Sequence, residues 1–242
     1  MKKLSLMLSM LLVGMLAVAQ DHTTDPNKYY LTADEVVNSL VMLPAPPEAG
    51  SARMAYDRER YEWGKSVRDT PRGKQAIIDA DLSEGWLDRT FSKAFGMKLT
   101  KENAPEIYKL INNMKEDAGD LATRDAKVKY MRPRPFMMYN EPSLTPNDEP
   151  GLRNNGSYPS GHTSIGWATA IVLSEIHPAR AKEIMKRGYE MGESRVICGA
   201  HHQSDVDAGR VTGSAVVGLL HANPVFQKQL AKAKTEFAAK SN

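Results

Sequence analysis

Three short stretches that lie far apart in the sequence carry the residue types that a phosphate site requires. In chain order they are Lys127 with Arg134-Pro135, then Pro159-Ser160-Gly161-His162, then Ser194-Arg195 with His201 and Ser204-Asp205. They supply three cations, two histidines, a glycine and a carboxylate that follows a histidine by four residues. Three cations match an oxyanion with spread charge, and two histidines match a nucleophile and a proton donor. The combination predicts one site that binds and transfers phosphate.

The basic residues are suited to holding phosphate oxygens. The planar guanidinium of Arg134 can bind two oxygens at once, whereas the ammonium of Lys127 adds a point charge. Charged residues near the end of a helix commonly face water and complement the helix dipole, which is the alternative for Lys127 and Arg134 taken alone. This stretch therefore indicates phosphate binding only in combination with the other two.

The second stretch lies at a predicted junction between a loop and a helix. Ser160 is a natural N-cap, and Gly161 allows the backbone to approach a ligand closely. Unpaired N–H groups and the helix dipole at such a position favour an anion. His162 at the mouth of the site could protonate a leaving oxygen. The alternative is a capping serine beside an exposed histidine that has no catalytic role.

The third stretch pairs an arginine with a histidine and a carboxylate. If the segment is helical, His201 and Asp205 share one face. A carboxylate bonded to one imidazole nitrogen sets the tautomer and leaves the other nitrogen free to attack, as a histidine nucleophile requires. A surface ion pair is the alternative. His202 could suggest a metal site with these two residues, but adjacent histidines point apart on a helix and no established zinc spacing is present. We therefore predict no metal.

Helices must position these residues, because no stretch alternates apolar and polar residues long enough to predict a strand. Helices are predicted from Thr32 with Glu35 through Leu40, from Ser51 to Val67, from Thr70-Pro71, after Ser83, from Pro105 to Tyr130, from Thr163 to Ile176, from His177-Pro178, from Gln203 to His221 and from Pro224 to near Ala239. Residues 136 to 158 are predicted to be a long loop, which in a compact domain is often functional. The pattern predicts a single all-α domain.

Two groups of side chains have mainly structural interpretations. Glu116, Asp117, Asp120 and Arg124 are predicted to pair along one helix face. Trp86 is predicted in the core. Four aromatic residues could instead line a substrate cleft, and the sequence does not select among them: Trp63, Trp86, Phe91 and Phe95.

The beginning of the chain predicts export. Lys2 and Lys3 precede an apolar run from residue 4 to 16, and Ala17-Val18-Ala19 forms a cleavage signal. We expect residues 1–19 to be a cleaved signal peptide and residues 20–242 to form the functional domain, located in the periplasm or secreted. A membrane anchor is the alternative, but the run is short for a span, and no later stretch is long enough.

Charge and cysteine content add two further limits. The 242 residues carry a formal net charge of +3, which is too small to indicate a nucleic-acid polymer as partner. The lone Cys198 cannot form an internal disulfide, so the fold must be stabilised by core packing.

Together the three stretches fit the pattern K-x6-RP, PSGH, SR-x5-H-x2-SD at every position that it specifies. They resemble the phosphatase superfamily that includes bacterial acid phosphatases, membrane lipid phosphatases and vanadium haloperoxidases. The string from Gly156 to Thr163 resembles the signature of class A bacterial nonspecific acid phosphatases. The similarity extends from about residue 30 to 239. The joint pattern is highly specific, whereas each single piece is not.

The resemblance implies a role for each residue. His201 would be the nucleophile, Asp205 would orient it, and His162 would be the general acid and then the general base. The phosphate oxygens would be held by Lys127, Arg134, Ser160, Arg195 and the backbone near Gly161. No metal or other cofactor is required in that scheme. The resemblance also implies a helical bundle, export and assembly into homo-oligomers.

Two departures from the class are visible. His202 and Ala200 stand beside the proposed nucleophile where the class commonly has Trp and Tyr, which bears on substrate preference. A second cysteine before PSGH that could pair near Cys198 is missing, which suggests a looser loop. Neither departure removes a catalytic group.

We therefore expect an exported acid phosphatase of broad specificity that hydrolyses small phosphomonoesters such as nucleotides, sugar phosphates and aryl phosphates. The alternatives are vanadate-dependent halide oxidation, cleavage of nucleoside di- and triphosphates, a membrane lipid phosphatase, and phosphate binding without turnover.

Overall fold

The computed structural model describes residues 28–241, so the predicted signal peptide of residues 1–19 lies outside the described residues. Within 28–241 the regular elements are helical and no strand occurs, which confirms the predicted all-α class. In chain order the α-helices are α1 Ser39–Met42, α2 Ala52–Ser66, α3 Pro71–Ala80, α4 Trp86–Phe95, α5 Pro105–Glu116, α6 Arg124–Tyr130, α7 Pro135–Met138, α8 Glu149–Arg153, α9 Gly161–Ile176, α10 Ala181–Ile197, α11 Gln203–Leu220 and α12 Pro224–Ser241. A π-helical segment covers Asp117–Leu121, and 3₁₀ turns cover Pro146–Asp148 and Pro178–Arg180.

Helix α9 forms the centre of the bundle. It is apolar on nearly all sides, and it contacts α5, α10, α11, α12 and the π-helical segment. A helix without a wide polar face is stable only when other helices surround it. Its N-terminal end, which carries Ser160, Gly161 and His162, is therefore brought into the interior beside the ends of α6, α10 and α11.

Several predicted helix starts are confirmed by their caps. The side chain of Ser51 accepts the N–H of Met54 at the start of α2, at 3.2 Å. Thr70 accepts the N–H of Arg72, at 3.2 Å, with Pro71 at the first helical position of α3. Because these contacts span only two or three residues, local sequence is enough to predict them.

The predicted helix from Pro105 to Tyr130 is wrong as a single element, because it is interrupted after Glu116 by the π-helical segment and resumes as α6. Asp117 turns inward and accepts the N–H groups of Tyr30 and Leu31, each at 3.0 Å. It therefore does not pair along the helix face as predicted.

The remaining acidic residues of this region behave partly as predicted. Asp120 pairs with Arg124 across one turn, and this pairing is confirmed. Glu116 instead pairs with its neighbour Lys115, whose Nζ lies 3.3 Å from the Glu116 carboxylate. Burial raises the pKa of the neighbouring Asp117 to about 7, since a charged carboxylate is poorly solvated there.

The predicted helix after Thr32 is also wrong. The backbone N–H of Thr32 does donate to Glu35, at 2.8 Å, as a capping box requires, but the bond closes only a turn. The helix starts later, at Ser39, because Asn38 adopts an extended backbone and caps Leu40 at 2.8 Å.

The region predicted as a loop, residues 136 to 158, contains α8, most of α7 and a 3₁₀ turn. It is tied to the turn that follows α10. The N–H of Phe136 donates to Gly199 at 3.2 Å, and that of Leu144 donates to Cys198 at 2.9 Å. Cys198 is buried and unpaired, and its thiol faces the carbonyl of Ala76 at 3.4 Å. Backbone bonds therefore anchor the region next to the cysteine.

Three of the four candidate cleft aromatics belong to the core instead. Trp86, Phe91 and Phe95 are almost fully buried against α5 and α9 residues. Trp63 is half-buried beneath the guanidinium of Arg60, whose Cζ lies 3.8 Å from the ring centroid. Among the helices that lie between residues 28 and 241, none is both long enough and apolar enough to cross a bilayer.

Candidate active site

The N-terminus of α9 brings the second stretch to the site. The Oγ of Ser160 accepts the N–H and the hydroxyl of Thr163, at 3.3 and 2.9 Å, so this serine caps the helix as predicted. The first intrahelical bond runs from the N–H of Ser164 to Ser160 O, which leaves the N–H groups of Gly161 and His162 ahead of the ladder. These N–H groups and the helix dipole favour an anion.

Gly161 is required by the packing of the backbone. A Cβ at this position would lie 2.8 Å from the carbonyl oxygen of Gly119 in the π-helical segment. A Cβ at Gly119 would in turn lie 2.6 Å from the Cδ1 of Ile165. The two glycines therefore let the π-helical segment and the first turn of α9 approach closely, and both border the same cavity.

A reversal after α10 brings the third stretch together. Gly199 adopts a φ of 72°, a left-handed conformation that glycine tolerates without strain. The carbonyl of Arg195 then accepts the N–H groups of both Ala200 and His201, at 3.1 and 3.2 Å. His201 consequently lies in this turn and not on the helix that carries Asp205, so the predicted shared helical face is wrong although the pairing itself is present.

His201 lies between a carboxylate and a guanidinium. Its Nδ1 lies 3.4 Å from Asp205 Oδ2, and its Nε2 lies 3.0 Å from Arg134 Nη1. A guanidinium can only donate, so Nε2 must accept and the neutral ring must carry its proton on Nδ1. This tautomer leaves a lone pair on Nε2, the nitrogen that faces the cations.

Asp205 is held in its ionised form. Burial alone would raise the pKa of this carboxyl, but contacts with His201, His202 and Arg132 outweigh burial and hold it well below its ordinary value. Its Oδ2 accepts the N–H of His202 at 2.8 Å, and its Oδ1 accepts from Arg132 at 2.5 Å. A permanent negative charge therefore lies behind the imidazole of His201.

His162 presents its other nitrogen to the site. Its Nε2 lies 3.0 Å from the carbonyl oxygen of Ala80, at the end of α3. A carbonyl oxygen can only accept, so Nε2 carries a proton and Nδ1 is the nitrogen that gains or loses one. His162 can therefore act as an acid or a base through Nδ1.

Three cations converge on the two histidines. Arg134 is anchored through Nε to the carbonyls of Leu152 and Asn155, at 3.0 and 3.2 Å. Lys127 donates to the carbonyl of Gly156 at 2.8 Å. Arg195 is 1% exposed, and its Nε and Nη1 have no hydrogen-bond partner in the described part of the chain. Buried donors without a partner are rare in proteins, and here they suit an anionic ligand.

The side chains open onto two adjoining cavities. One, of about 340 Å³, is bordered by Lys127, Arg134, Gly161, His162 and His201. The other, of about 780 Å³, is bordered by His162 and Arg195, and by the segments at residues 80–83 and 144–148. Because His162 borders both, a phosphoryl group in the first cavity could carry an organic group that extends into the second.

Burial and the cations disfavour the protonated form of both imidazoles. Burial lowers the pKa of His162 well below its ordinary value of 6.5, and Arg195 lowers it further. Burial and then Arg134 likewise lower the pKa of His201, against the opposing effect of Asp205. Burial and Arg134 lower the pKa of Lys127 to about 7. A bound phosphate would reverse these shifts, because its negative charge favours every protonated form.

The structure thus brings together all eight candidate residues, although not all of them border a cavity. Ser160 and Asp205 are fully buried and border neither of the two cavities. The N–H of Ser160 donates to the carbonyl of Asp205 at 2.9 Å. Ser194, which precedes Arg195 in the pattern, has a supporting position instead. Its Oγ donates to the buried carboxylate of Asp79 at 2.5 Å and so ties α10 to α3.

Two residues of the site were missed by the sequence reasoning. Arg132 and Asp57 form a buried ion pair, at 2.8 Å, directly behind Asp205. Neither belongs to a recognisable spacing, since Asp57 lies in the middle of α2 and Arg132 lies 75 residues later in an extended segment. Nothing in the local sequence indicates that they meet.

His202 has a structural position. Its Nε2 lies 3.0 Å from the carbonyl oxygen of Pro133, and the ring is buried. Between residues 28 and 241, no group of three or more histidine, cysteine or acidic side chains is arranged to hold a metal ion. His202 instead packs against the segment that carries Arg132 and Arg134.

Comparison with known proteins identifies related chains. The family model of the PAP2 superfamily matches residues 118–228, a range that contains all eight candidate residues. A non-specific acid phosphatase of Providencia stuartii is 57% identical over 218 residues, which cover 90% of this chain and 88% of that protein. One from Salmonella typhimurium is 44% identical over 227 residues, covering 94% and 91%. One from Salmonella typhi is 46% identical over 209 residues, covering 86% and 84%.

Proposed function

The chain belongs to the non-specific acid phosphatases of the PAP2 superfamily and is a phosphoric monoester hydrolase, and from this premise we propose a reaction path through a phosphohistidine. The phosphoryl group passes from the ester to Nε2 of His201 and then to water. The proposed substrates are small monoesters such as nucleotides, sugar phosphates and aryl phosphates. Their organic groups would occupy the cavity of about 780 Å³ beside the phosphate.

In the first step, Nε2 of His201 attacks phosphorus while the bond to the ester oxygen breaks. The proton on Nδ1 stays beside Asp205, which stabilises the positive charge that develops on the ring. The leaving oxygen takes a proton from Nδ1 of His162, so that an alcohol departs rather than an alkoxide. In the free protein Arg134 Nη1 donates to the attacking nitrogen at 3.0 Å, so this N–H must pass to an oxygen of the incoming phosphoryl group before the lone pair attacks.

In the second step, water attacks the phosphohistidine. His162 is now neutral, and its Nδ1 takes a proton from the water as the new P–O bond forms. The P–N bond breaks, its electron pair returns to Nε2 of His201, and inorganic phosphate is released. Both histidines regain their starting protonation states, so the cycle is balanced.

The phosphoryl oxygens are bound by the cations and the start of α9. Lys127, Arg134 and Arg195 supply charge, and the hydroxyl of Ser160 and the N–H of Gly161 supply neutral donors. Charge spreads over the equatorial oxygens in the transition state, so preorganised donors stabilise it more than the ground state. The three cations and Gly161 border the two cavities without substrate, which reduces the cost of orienting them in the proposed reaction.

One observation supports this proposal above the others: both histidines, Lys127 and Arg134 border a single cavity. Nε and Nη1 of Arg195, which have no partner within residues 28–241, support it further, because a buried guanidinium with unsatisfied donors is costly unless an anion binds it. A protein that only bound phosphate would need the cations but not an imidazole oriented by a buried carboxylate.

Turnover of a panel of phosphate esters at acid pH, with and without EDTA, tests the proposed function. We expect hydrolysis of p-nitrophenyl phosphate, a sugar phosphate and AMP, with rates unchanged by EDTA and inhibited by vanadate. Tight phosphate binding without turnover would contradict the proposed path. Loss of activity in EDTA that zinc restores would contradict metal independence. ATP in the same panel measures any preference for phosphoanhydrides.

Two proposals concern the setting of the enzyme. We propose that residues 1–19 direct export and are then removed, which places the enzyme in the periplasm or outside the cell. We also propose that the mature chain assembles into a homo-oligomer. The exported protein tests both. The mass of its chain shows whether residues 1–19 have been removed, and its molar mass in solution shows whether the chains assemble.

Replacing His162 by alanine should reduce kcat according to the leaving group. For an alkyl phosphate such as glycerol phosphate we expect a loss of about 10²- to 10⁴-fold, because the departing alkoxide needs a proton. For p-nitrophenyl phosphate the loss in the first step should be about tenfold or less, because the phenolate departs unaided. Rapid-quench measurement of the first turnover gives both values. Equal losses for the two substrates would contradict the role as general acid.

The pH profile should show activity only on the acid side. kcat/KM requires His162 protonated and His201 neutral, and burial lowers the pKa of both. As the pH rises, His162 loses its proton and kcat/KM should fall by about tenfold per unit above the optimum. Loss of the Lys127 charge, with a pKa of about 7, should raise KM in the same direction. The test is kcat/KM between about pH 4 and pH 8. Activity that increases from neutral to alkaline pH would contradict these assignments.

A further inference from the structure

We infer that Asp57 and Arg132 position the catalytic pair of His201 and Asp205, given the proposed role of His201 as nucleophile. Neither residue borders the cavity that holds the histidines. Both act through Asp205, so they are positioning residues and not catalytic ones. Arg132 is 6% exposed, and both Asp57 and Asp205 are fully buried.

Arg132 holds the far side of the Asp205 carboxylate. Its Nη1 donates to Asp205 Oδ1 at 2.5 Å, whereas Oδ2 faces His201 Nδ1 at 3.4 Å and accepts the N–H of His202 at 2.8 Å. The carboxylate is therefore fixed by a donor on each oxygen. Rotation that would move Oδ2 away from the imidazole would break at least one of these bonds.

Asp57 in turn holds Arg132 and the first turn of α11. Its Oδ2 accepts from Arg132 Nη2 at 2.8 Å and from Ser204 Oγ at 2.6 Å. Its Oδ1 accepts the N–H of Ser204 at 2.7 Å. Arg132 Nη1 also donates to Ser204 Oγ at 2.8 Å. Asp57 thus supplies, from α2, a cap for the helix turn that carries Asp205.

The charges of this group matter as much as its geometry. Asp205 and Arg132 alone would be neutral together, and Arg132 would cancel the charge that His201 needs. Asp57 restores one net negative charge to the buried group. In a poorly solvated interior that charge makes the His201 ring more basic and stabilises it when Nε2 bonds to phosphorus. Asp57 therefore supports both the orientation and the basicity of the nucleophile.

Asp57→Asn tests this inference, because the amide keeps the size and an acceptor oxygen but removes the charge. We expect kcat to fall about 10- to 100-fold, the range observed when the hydrogen-bond partner of a metal-bound histidine is changed. The inhibition constant for inorganic phosphate should stay within about threefold of the wild type, because the cations that bind phosphate are untouched.

Glu236→Gln is a matched control. The carboxylate of Glu236 accepts the N–H groups of Glu106 and Ile107, both at 3.1 Å, and so caps α5 as Asp57 caps α11. This cap lies at the opposite end of α5 from Glu116, which borders the cavity, and is about 15 Å away from it along the helix. The control should lose stability without losing kcat.

The basicity of His201 separates positioning from simple stabilisation. In protein labelled with ¹⁵N-histidine, the pKa of the His201 ring should be lower in Asp57→Asn than in the wild type, because a buried negative charge has been removed. Arg134 donates to Nε2 in both proteins, so the proton of the neutral ring should stay on Nδ1. A purely structural role would lower the unfolding temperature and leave the pKa of His201 unchanged. A kcat within twofold of the wild type, or a loss of kcat without a lower pKa of His201, would overturn the inference.

Arg132→Lys carries the same test if Asp57→Asn does not fold. Lysine keeps the charge, but its single ammonium replaces the two guanidinium nitrogens that reach Asp57 and Asp205 separately. The same loss of kcat, unchanged phosphate inhibition and lower pKa of His201 are expected, because Asp205 is then held less firmly beside Nδ1. His201→Ala distinguishes the two levels of inference. If that variant is inactive while Asp57→Asn and Arg132→Lys match the wild type, only the positioning role fails. If His201→Ala is active, the proposed nucleophile fails.

Discussion

Replacing His201 by alanine should reduce kcat for p-nitrophenyl phosphate by about 10⁵- to 10⁶-fold, the scale seen when an enzyme loses its nucleophile. The path through a covalent intermediate is then closed, because no other lone pair in the cavity is oriented by a buried carboxylate in the described part of the chain. The measurement is steady-state turnover, together with the capture of phosphorylated protein after alkaline quenching, since phosphohistidine is labile in acid. The wild type should be labelled and the variant should not.

His221→Ala is the matched control for this result. His221 pairs with Glu175 at 3.1 Å and lies just beyond the C-terminal end of α11, about 27 Å along that helix from the turn that carries His201. The control should retain wild-type kcat. Turnover of His201→Ala near the wild-type rate, or labelled protein in that variant, would refute the assignment of the nucleophile.

Replacing Asp205 by asparagine should reduce kcat by about 10⁴-fold, which corresponds to about 5 kcal/mol of transition-state stabilisation. The amide could present a donor to Nδ1, which favours the tautomer whose lone pair faces away from phosphorus. It also removes one of the two carboxylates that balance Arg132. The inhibition constant for inorganic phosphate should change little, because the phosphate-binding cations remain. The measurement is kcat together with the inhibition constant for inorganic phosphate, and only kcat should change by a large factor.

Asp207→Asn provides the comparison for Asp205→Asn. Asp207 lies two residues later on α11, is exposed, and pairs with Arg210 at 2.9 Å. Its replacement should change kcat by less than about twofold, because exposed ion pairs contribute little. Equal losses in the two variants would contradict a specific role for Asp205 and would point instead to a general effect of acidic residues on α11.

The catalytic residue types could be predicted from the sequence because chemistry selects them directly. Few sites need two histidines, three cations and a carboxylate four residues after a histidine, so the joint pattern was specific although each piece was weak. The helix starts at Ser51, Thr70 and Ser160 were predictable for a different reason. A cap is a contact over two or three residues, so local sequence contains all of its information.

Interruptions and long-range partners could not be predicted in this way. The apolar spacing of residues 105–130 indicates one helix, but the carboxylate of Asp117 reaches the N–H groups of Tyr30 and Leu31, some 87 residues earlier in the chain. The turn of the π-helical segment then allows Gly119 to approach Gly161. No local preference encodes a bend that a distant backbone segment stabilises.

The same difference between local and long-range contacts explains which features of the site could be predicted. Residue type and short spacing are enough to predict which groups could do chemistry, the all-helical class and the caps. The packing of distant segments establishes which nitrogen of each imidazole faces the cavity, and that Asp57 and Arg132 lie behind Asp205. It also leaves Nε and Nη1 of Arg195 without a hydrogen-bond partner among the residues that the structure describes. Those features arise where several helices and a turn meet, and contacts between residues more than 70 positions apart leave no periodic trace in the sequence.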